Sequence, residues 1–565
     1  MSLVLFLVRS SRALLASALA ASIVSGFGVS LLVALINGSI AAPAAELPRL
    51  GLQFAGLSVG MLVFRWLSQS LFVRLSQSTL AQLRLLVSRH IAEAPFREIE
   101  KQGAGRLLAV LTADIATVAE FFWVLPRLLV HGVVILGCLG YLAYLSPAAF
   151  GGSLLLGVLG SLAHYGARRR GNQALARARL GEDDVFRHFR ALFDGAKELK
   201  QHRARREAFL DDVLGRSVDH VRSERARGLS IYAGAASWRA LVFFLVIGFV
   251  IFVLSANMPI AGEVRSGFAL MLLYMMLPVH ALLEATPALG RTRVALERIE
   301  SLGVRPTWAA DVEAPLPAAE PLRSLKLQRA SYSYRRDDGA AFTLGPLSLD
   351  FGPGEIVFLV GGNGSGKTTL AKLLVGLYEP EAGEILLNGR RIERVDLEVY
   401  RQCFACVFLD FHLFGSLLGM AGPSIDARAR QLLKALVLEH KVTIQEGVFS
   451  TTELSSGQQK RLALLVACLE DRPFYVFDEW AADQDPTYKE VFYRQILPEL
   501  KARGKTVLVV THDDRYFPLA DRLLELDAGQ LTQRSVASAA ANVVSPHKPA
   551  AASGISLGFA AGGEG

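Results

Sequence analysis

Apolar residues crowd into long runs before Pro287, and after Pro321 they break into short runs separated by glycines and acidic residues. A helix crosses a bilayer with about 20 mostly apolar residues, because in lipid every backbone N–H and C=O must be satisfied within the segment. Six stretches meet that requirement: Arg12–Ile36, Leu50–Val73, Phe121–Leu145, Ala148–Tyr165, Trp238–Leu254 and Phe268–Leu289. The first lacks a convincing cleavage site and is followed by further spans, so it reads as a span and not as a signal peptide. Between the spans, two long polar segments keep a helical period, which predicts helices that continue well beyond the bilayer. Glycine interrupts that period near Gly103–Asp114 and near Asp194–Lys200, the turns expected to meet the soluble half.

Composition agrees with a membrane half followed by a soluble half. The chain has 565 residues, 52% of them hydrophobic, and is too long for one compact core. A net charge of +8 would point to nucleic acid in a soluble domain. Here the basic residues collect in Arg74–Arg106 and Arg168–Arg227, between spans, as the positive-inside bias of cytoplasmic loops predicts, so no nucleic-acid partner is expected. Arg9 and Arg12 precede the first span, while the opposite loops, Gly38–Pro48, Ser146 and Ala256–Ser266, are short and carry few charges. Both termini are therefore expected in the cytoplasm. Four cysteines are too few for a disulfide framework, and Cys403-Phe-Ala-Cys406, with no second pair or histidine cluster, reads as a buried strand. Within the spans, the ionisable residues Arg65, His131, Arg239, His280 and Glu284 are candidates for function or for pairing between helices. Arg65 is the most central and the first choice for a cavity-lining position.

The soluble half carries phosphate chemistry. Gly354-Glu-Ile-Val-Phe-Leu-Val360 reads as a buried strand feeding Gly361, Gly362, Asn363, Gly364, Ser365, Gly366, Lys367 and Thr368, a P-loop. Glycines let backbone N–H groups cradle phosphates, Lys367 reaches the β and γ oxygens, and the Thr368 hydroxyl ligates magnesium at the start of a helix whose positive end adds to the attraction. A second strand, Phe474–Phe477, ends in Asp478 and Glu479, suited respectively to placing Mg²⁺ and to polarising an attacking water. Between them lies Leu454-Ser455-Ser456-Gly457-Gln458, followed by a helix expected from Gln459.

Taken in order, these motifs resemble the ATP-binding-cassette superfamily over essentially the whole chain; LSSGQ is similar to its LSGGQ signature. The resemblance implies a membrane α-helical bundle of exporter type, with six transmembrane helices, fused to an α/β P-loop ATPase domain. ATP and Mg²⁺ are the implied cofactors. In that superfamily the signature of one subunit closes over ATP held by the other, so a second copy of the chain is the implied partner. Ser455, Ser456, Gly457 and Gln458 would face the partner's nucleotide, Thr369 would join the phosphate contacts, and Asp485 would be the D-loop aspartate. His512 in Val-Val-Thr-His-Asp-Asp would sense the γ-phosphate, and Tyr334 would stack on adenine. Two departures stand out. Leu409 replaces the Q-loop glutamine, leaving Asp410 as a substitute metal contact, and the stretch from Leu409 to Leu454 is short, implying a trimmed helical subdomain.

A narrower likeness follows from Asp478-Glu-Trp-Ala-Ala-Asp-Gln-Asp-Pro486, which resembles the corresponding block of bacterial cyclic-peptide exporters, the pyoverdine- and syringomycin-type half-transporters. Val407–Phe414, Gly195–Lys200 and the run from His512 fit the same group. This implies ATP-driven export of a non-ribosomal peptide, siderophore or siderophore precursor across the bacterial inner membrane by alternating access. A siderophore importer of exporter-like fold and a lipid or drug exporter stay open. The expected division is a membrane domain at 1–305, a linker at 306–324, an ATPase domain at 325–531 and a disordered tail at 532–565.

Overall fold

The computed structural model describes residues 12–163, 165–257, 261–302, 321–335, 341–420 and 422–534. The chain divides into two compact units, one of residues 1–93 and 103–307, the other of residues 94–102 and 308–565. Most of the linker expected at 306–324 and of the tail expected at 532–565 falls outside the described residues. The part of that tail that is described is ordered: a last strand, Gln530–Arg534, extends through its first residues.

The first unit is helical. Among the described residues five of its helices are long and apolar enough to cross a membrane: Arg12–Ile40, Leu47–Glu93, Ala104–Leu145, Arg203–Asn257 and Gly262–Glu300. The fourth expected span forms the shorter apolar helix Pro147–Ala163, which ends at an undescribed residue. The helix Leu47–Glu93 has 47 residues, about 70 Å at 1.5 Å per residue, more than twice what the hydrocarbon core requires. A core of Val134, Cys138, Leu142, Val246, Phe268 and Met271 joins the helices that carry them. Small residues let helices approach closely: a Cβ on Gly137 would lie 2.4 Å from the Ser30 hydroxyl.

The unit has a half-open cavity of about 1030 Å³ with mostly apolar walls, which Arg239, His280 and Glu284 help to line. Arg239 Nη2 lies 3.4 Å from His280 Nδ1, and His280 Nε2 lies 3.0 Å from Glu284 Oε1. Guanidinium only donates, so Nδ1 accepts and Nε2–H donates to the carboxylate. Arg65, the first choice for a cavity position, is exposed on its helix and does not line this cavity. Helical periodicity shows where a span is, while the facing of one residue depends on which neighbours pack there.

In the second unit twelve strands are described: β1 (Leu325–Arg335), β2 (Ala341–Phe351), β3 (Ile356–Val360), β4 (Ala382–Leu387), β5 (Arg390–Arg391), β6 (Phe404–Val407), β7 (Ile444–Gln445), β8 (Val448–Phe449), β9 (Phe474–Asp478), β10 (Thr506–Val510), β11 (Arg522–Asp527) and β12 (Gln530–Arg534). The main sheet runs β12-β11-β3-β10-β9-β6, and β2-β1-β4-β5 form a second, antiparallel sheet. β3, β9 and β10 are buried at every residue, as their continuous apolar sequences require when both faces are covered. β6, β9, β10, β3 and β11 pair in parallel, so β3 and β9 end at the same edge, where nucleotides bind in such sheets.

Cys406 lies in β6 and is half-buried, with desolvation pushing its thiol up to about 12, and Cys403 just before the strand is buried. Among the described residues between Leu409 and Leu454 stand one helix, Pro423–Ala435, and the β7–β8 hairpin.

Residues 94–102 belong to this second unit, one step before the expected contact at Gly103–Asp114, which lies in the first. Gly103, with φ +74°, follows the short helix Phe96–Gln102. Glu100 accepts from Lys372 Nζ at 2.9 Å and from the Tyr378 hydroxyl at 2.5 Å. Phe96 packs 6.2 Å from the Tyr378 ring, and Arg97 pairs with Glu381 at 3.2 Å. Burial, and then Glu100, raise the Tyr378 hydroxyl's pKa, so it stays a proton donor to that carboxylate.

Candidate functional site

The P-loop follows β3 and enters the helix Lys367–Leu374 through Gly366. Gly361 has φ +151°, and a Cβ there would sit 2.1 Å from the Leu526 carbonyl oxygen, so no other residue fits. Gly362, Asn363 and Gly364 are exposed, leaving the loop's rim open for phosphates, while Thr368 and Thr369 are half-buried at the helix start. Lys367 is buried and arches back over its own loop, donating from Nζ to the carbonyls of Gly361 and Gly362, both at 3.0 Å. Burial lowers its pKa, opposed by the nearby charges of Glu479 and Asp478. Its ammonium therefore sits where an anionic ligand would replace contacts to neutral carbonyls with stronger ones between opposite charges.

Asp478 ends β9 and is 1% exposed. Burial is the largest cause raising its pKa; the Thr368 hydroxyl pulls it down, Glu479 pushes it up, Lys367 lowers it and Asp410 raises it. Thr368 is thus close to this carboxylate, yet neither oxygen completes a hydrogen bond of normal geometry, and the same holds for the buried Ser365 hydroxyl. Buried polar atoms left this way point to a missing partner. Among the described residues no group of three or more His, Cys, Asp or Glu forms a self-sufficient metal cage.

Glu479 reaches His512, with Oε1 3.2 Å from Nε2, and both face a small cavity of about 250 Å³ that Lys489 and Asp513 also line. Lys367, Thr368, Asp478, Glu479 and His512 are thus brought together at one sheet edge. Tyr334 is half-buried in β1, its ring 5.6 Å from Phe342, whose own ring would meet a Cβ on Gly366. Leu409 is 49% exposed and Asp410 is exposed beside it, close enough for its charge to act on Asp478.

The signature lies elsewhere on the unit. Its helix begins at Ser456, three residues before the expected Gln459, because Ser455 caps it: Gln458 returns a bond to the Ser455 N–H at 3.2 Å, completing a capping box. Ser455 and Ser456 face solvent. Beyond them the helix is buried on nearly every side, Lys460 and Arg461 included. Asp485 caps the next helix, accepting from the N–H groups of Thr487 and Tyr488 at 3.0 and 3.2 Å.

Sequence reasoning missed the ties between these segments. The Gln484 amide donates to the Gly457 carbonyl at 3.0 Å, and the Trp480 indole N–H donates to the Lys460 carbonyl at 2.7 Å while its ring stacks on Phe492 at 4.4 Å. The polar turn Gln458-Gln-Lys-Arg461 ahead of the apolar run Leu462–Leu469 gave no local sign that Lys460 is buried.

Residues 344–482 match the family described as ABC transporter, and residues 11–277 match the ABC transporter transmembrane region. The chain is 38% identical over 490 residues to "ATP-binding protein SyrD" of Pseudomonas syringae pv. syringae, covering 84% of this chain and 86% of that one. It is 26% identical over 488 residues to the "ATP-dependent lipid A-core flippase" of Chromobacterium violaceum, covering 83% and 80%, and 27% identical over 515 residues to the flippase of the same name from Cupriavidus metallidurans, covering 85% and 83%. With a P-loop, paired carboxylates and signature behind a set of membrane helices, the chain belongs to the ABC transporter family, as an exporter-type half-transporter that hydrolyses ATP.

Proposed function

We propose that this chain works as a homodimer that exports a non-ribosomal cyclic peptide, a lipopeptide or a siderophore or its precursor from cytoplasm to periplasm. It sits in the bacterial inner membrane with both termini cytoplasmic. The observation that carries the cargo is the block Asp478–Pro486, which resembles that of cyclic-peptide exporters, in a chain 38% identical to SyrD and 26–27% identical to the two flippases. The cavity of about 1030 Å³, apolar but for Arg239, His280, Glu284 and a few other polar groups, supports an amphiphilic cargo.

In this reading the amides of Gly361–Gly366 with Lys367, Thr368 and Thr369 hold the phosphates of ATP, and Tyr334 stacks on adenine. Ser455, Ser456, Gly457, Gln458 and Asp485 of a second copy close over it. Glu479 orients a water and accepts its proton as the water oxygen attacks the γ-phosphorus and the β–γ bridging oxygen leaves. His512, 3.2 Å from Glu479, holds that carboxylate and faces the γ-phosphate. Mg²⁺ fits the oxygen set of Thr368 and Asp478, with Asp410 standing in for the absent glutamine, because the Asp478 oxygens are buried without completed bonds. When bound it would neutralise charge on the β and γ phosphates. ATP drives the outward turn of the cavity only by binding the closed dimer more tightly than the open one.

Inverted membrane vesicles test the proposal. Vesicles with the parent chain should accumulate a cyclic lipopeptide with ATP, and vesicles with Glu479→Gln should not. Equal accumulation by both sinks the proposal, and ATP-dependent movement of lipid A without peptide transport would move the chain to the flippase group.

A further inference from the structure

Lys460 is a buried cation with a specific target. Its side chain is 4% exposed, and a buried ammonium is sustained only by paired, hydrogen-bonded partners. One partner is Asp483, whose Oδ2 lies 2.8 Å away. The other is the backbone carbonyl of Glu479, which accepts from Nζ at 3.2 Å.

Glu479 needs such an anchor. Its φ is +51°, a left-handed conformation that residues with a Cβ adopt at a cost and keep only where the surroundings enforce it. Its N–H is tied to the Val510 carbonyl at 3.1 Å, at the end of β10. At the other end the Glu479 carbonyl accepts from the Ala482 N–H at 3.2 Å and from Lys460 Nζ at 3.2 Å, and Lys460 is the side chain that ties it to the signature helix. With both of its peptide groups held, the side chain leaves the backbone in one direction, toward His512. Lys460 itself is fixed from behind by the Trp480 indole, which is 2% exposed and donates to its carbonyl.

Lys460 also stands one turn into the signature helix Ser456–Glu470, whose Gly457 carbonyl accepts from Gln484. The signature's first turns and the residues after Glu479 therefore form one braced piece. We propose that Lys460 is a positioning residue for hydrolysis: anchored by Asp483, its ammonium holds the Glu479 carbonyl and thereby aims the Glu479 carboxylate, making that aim depend on the placement of the signature helix. The inference rests on the proposed role of Glu479 in orienting water. A misplacement of about 1 Å at a reacting group costs on the order of 100-fold in rate.

The test uses the full-length protein in lipid nanodiscs, measuring kcat and KM for ATP together with the Kd of ATP in hydrolysis-free conditions. Lys460→Met should lower kcat by about 10- to 100-fold with KM and Kd within about threefold of the parent. Lys460→Arg should recover part of the rate. Asp483→Asn, at a side chain 54% exposed, removes the anchor without opening a cavity and should lower kcat in the same selective way. In a Glu479→Gln background, Lys460→Met should add no further loss. If Glu479→Gln keeps its ATPase activity, the reading of Glu479 fails. If Glu479→Gln is inactive while Lys460→Met and Asp483→Asn turn over like the parent, or lose nucleotide affinity in parallel with rate, the positioning role is overturned.

Discussion

Glu100 should hold the helix Phe96–Gln102 in place, and replacing it with alanine measures how strongly. Its two carboxylate oxygens serve different donors, Lys372 at 2.9 Å and the Tyr378 hydroxyl at 2.5 Å. A hydrogen bond to a charged group contributes about 1.5–3 kcal/mol, and two on one carboxylate are not additive. The Glu100 side chain is 38% exposed, so water replaces part of what is lost, whereas the Lys372 side chain, 10% exposed, has less access to it. Phe96 and the cation–π contact of Lys372 with its ring at 5.0 Å survive the change. The net loss should be about 2 kcal/mol, or roughly a 30-fold rise in local opening. Hydrogen–deuterium exchange on full-length protein reads this directly as faster exchange of the Phe96–Gln102 amides, with β3 and β9 unchanged. Protection altered by less than about threefold would refute the assignment of the holding force to this carboxylate. Glu100→Gln should fall between, since an amide keeps the tyrosine bond and loses the charge.

Two further outcomes concern the phosphate site and one concerns the buried thiols. Gly361→Ala places a Cβ against the Leu526 carbonyl and should weaken ATP binding by at least about tenfold, measured by nucleotide fluorescence, because the strained loop costs about 1–3 kcal/mol. Asp478 has a folded pKa raised mainly by burial, so the unfolded chain ionises more readily than the folded one. Stability is therefore lost as pH rises from the ordinary value of 3.8 through the raised one, and Asp478→Asn should raise the unfolding temperature of nucleotide-free, magnesium-free protein at neutral pH while abolishing ATP hydrolysis; a fall in that temperature would contradict the burial argument. Cys406 and Cys468, pushed up to about 12 by burial, should react with maleimide at pH 8 about a thousandfold more slowly than an ordinary thiol, and prompt labelling of the native protein would show that these thiols are open.

Much of this architecture is written in local patterns. Continuous apolar runs mark both the membrane helices and the buried strands β3, β9 and β10, because each element must hide its own length. The P-loop is legible for the same local reason: strand, glycines, lysine and helix follow one another in sequence. The facing of Arg65 and the partnership of Arg239 with His280 were not legible, since they depend on contacts between helices distant in sequence. The signature helix starts three residues before the expected Gln459 because serine three residues ahead of glutamine is a capping pattern, which outweighs the glycine between them.

Two of the buried lysines, Lys372 and Lys460, show what kind of information escapes a linear reading. Lys372 and Lys460 each sit at a helix position that sequence alone would give to solvent, as lysine usually is. Each is buried because a carboxylate from a distant segment reaches it, Glu100 in one case and Asp483 in the other. The distance along the chain is 272 residues for the first pair, so no local pattern could pair them. Local pattern shows the P-loop, but the groups that hold the helix Phe96–Gln102 and the signature helix in place meet only after folding. Lys372 lies on the helix that starts at the P-loop and Lys460 on the helix that starts at the signature, so each cation fastens one of these helices to a segment outside it.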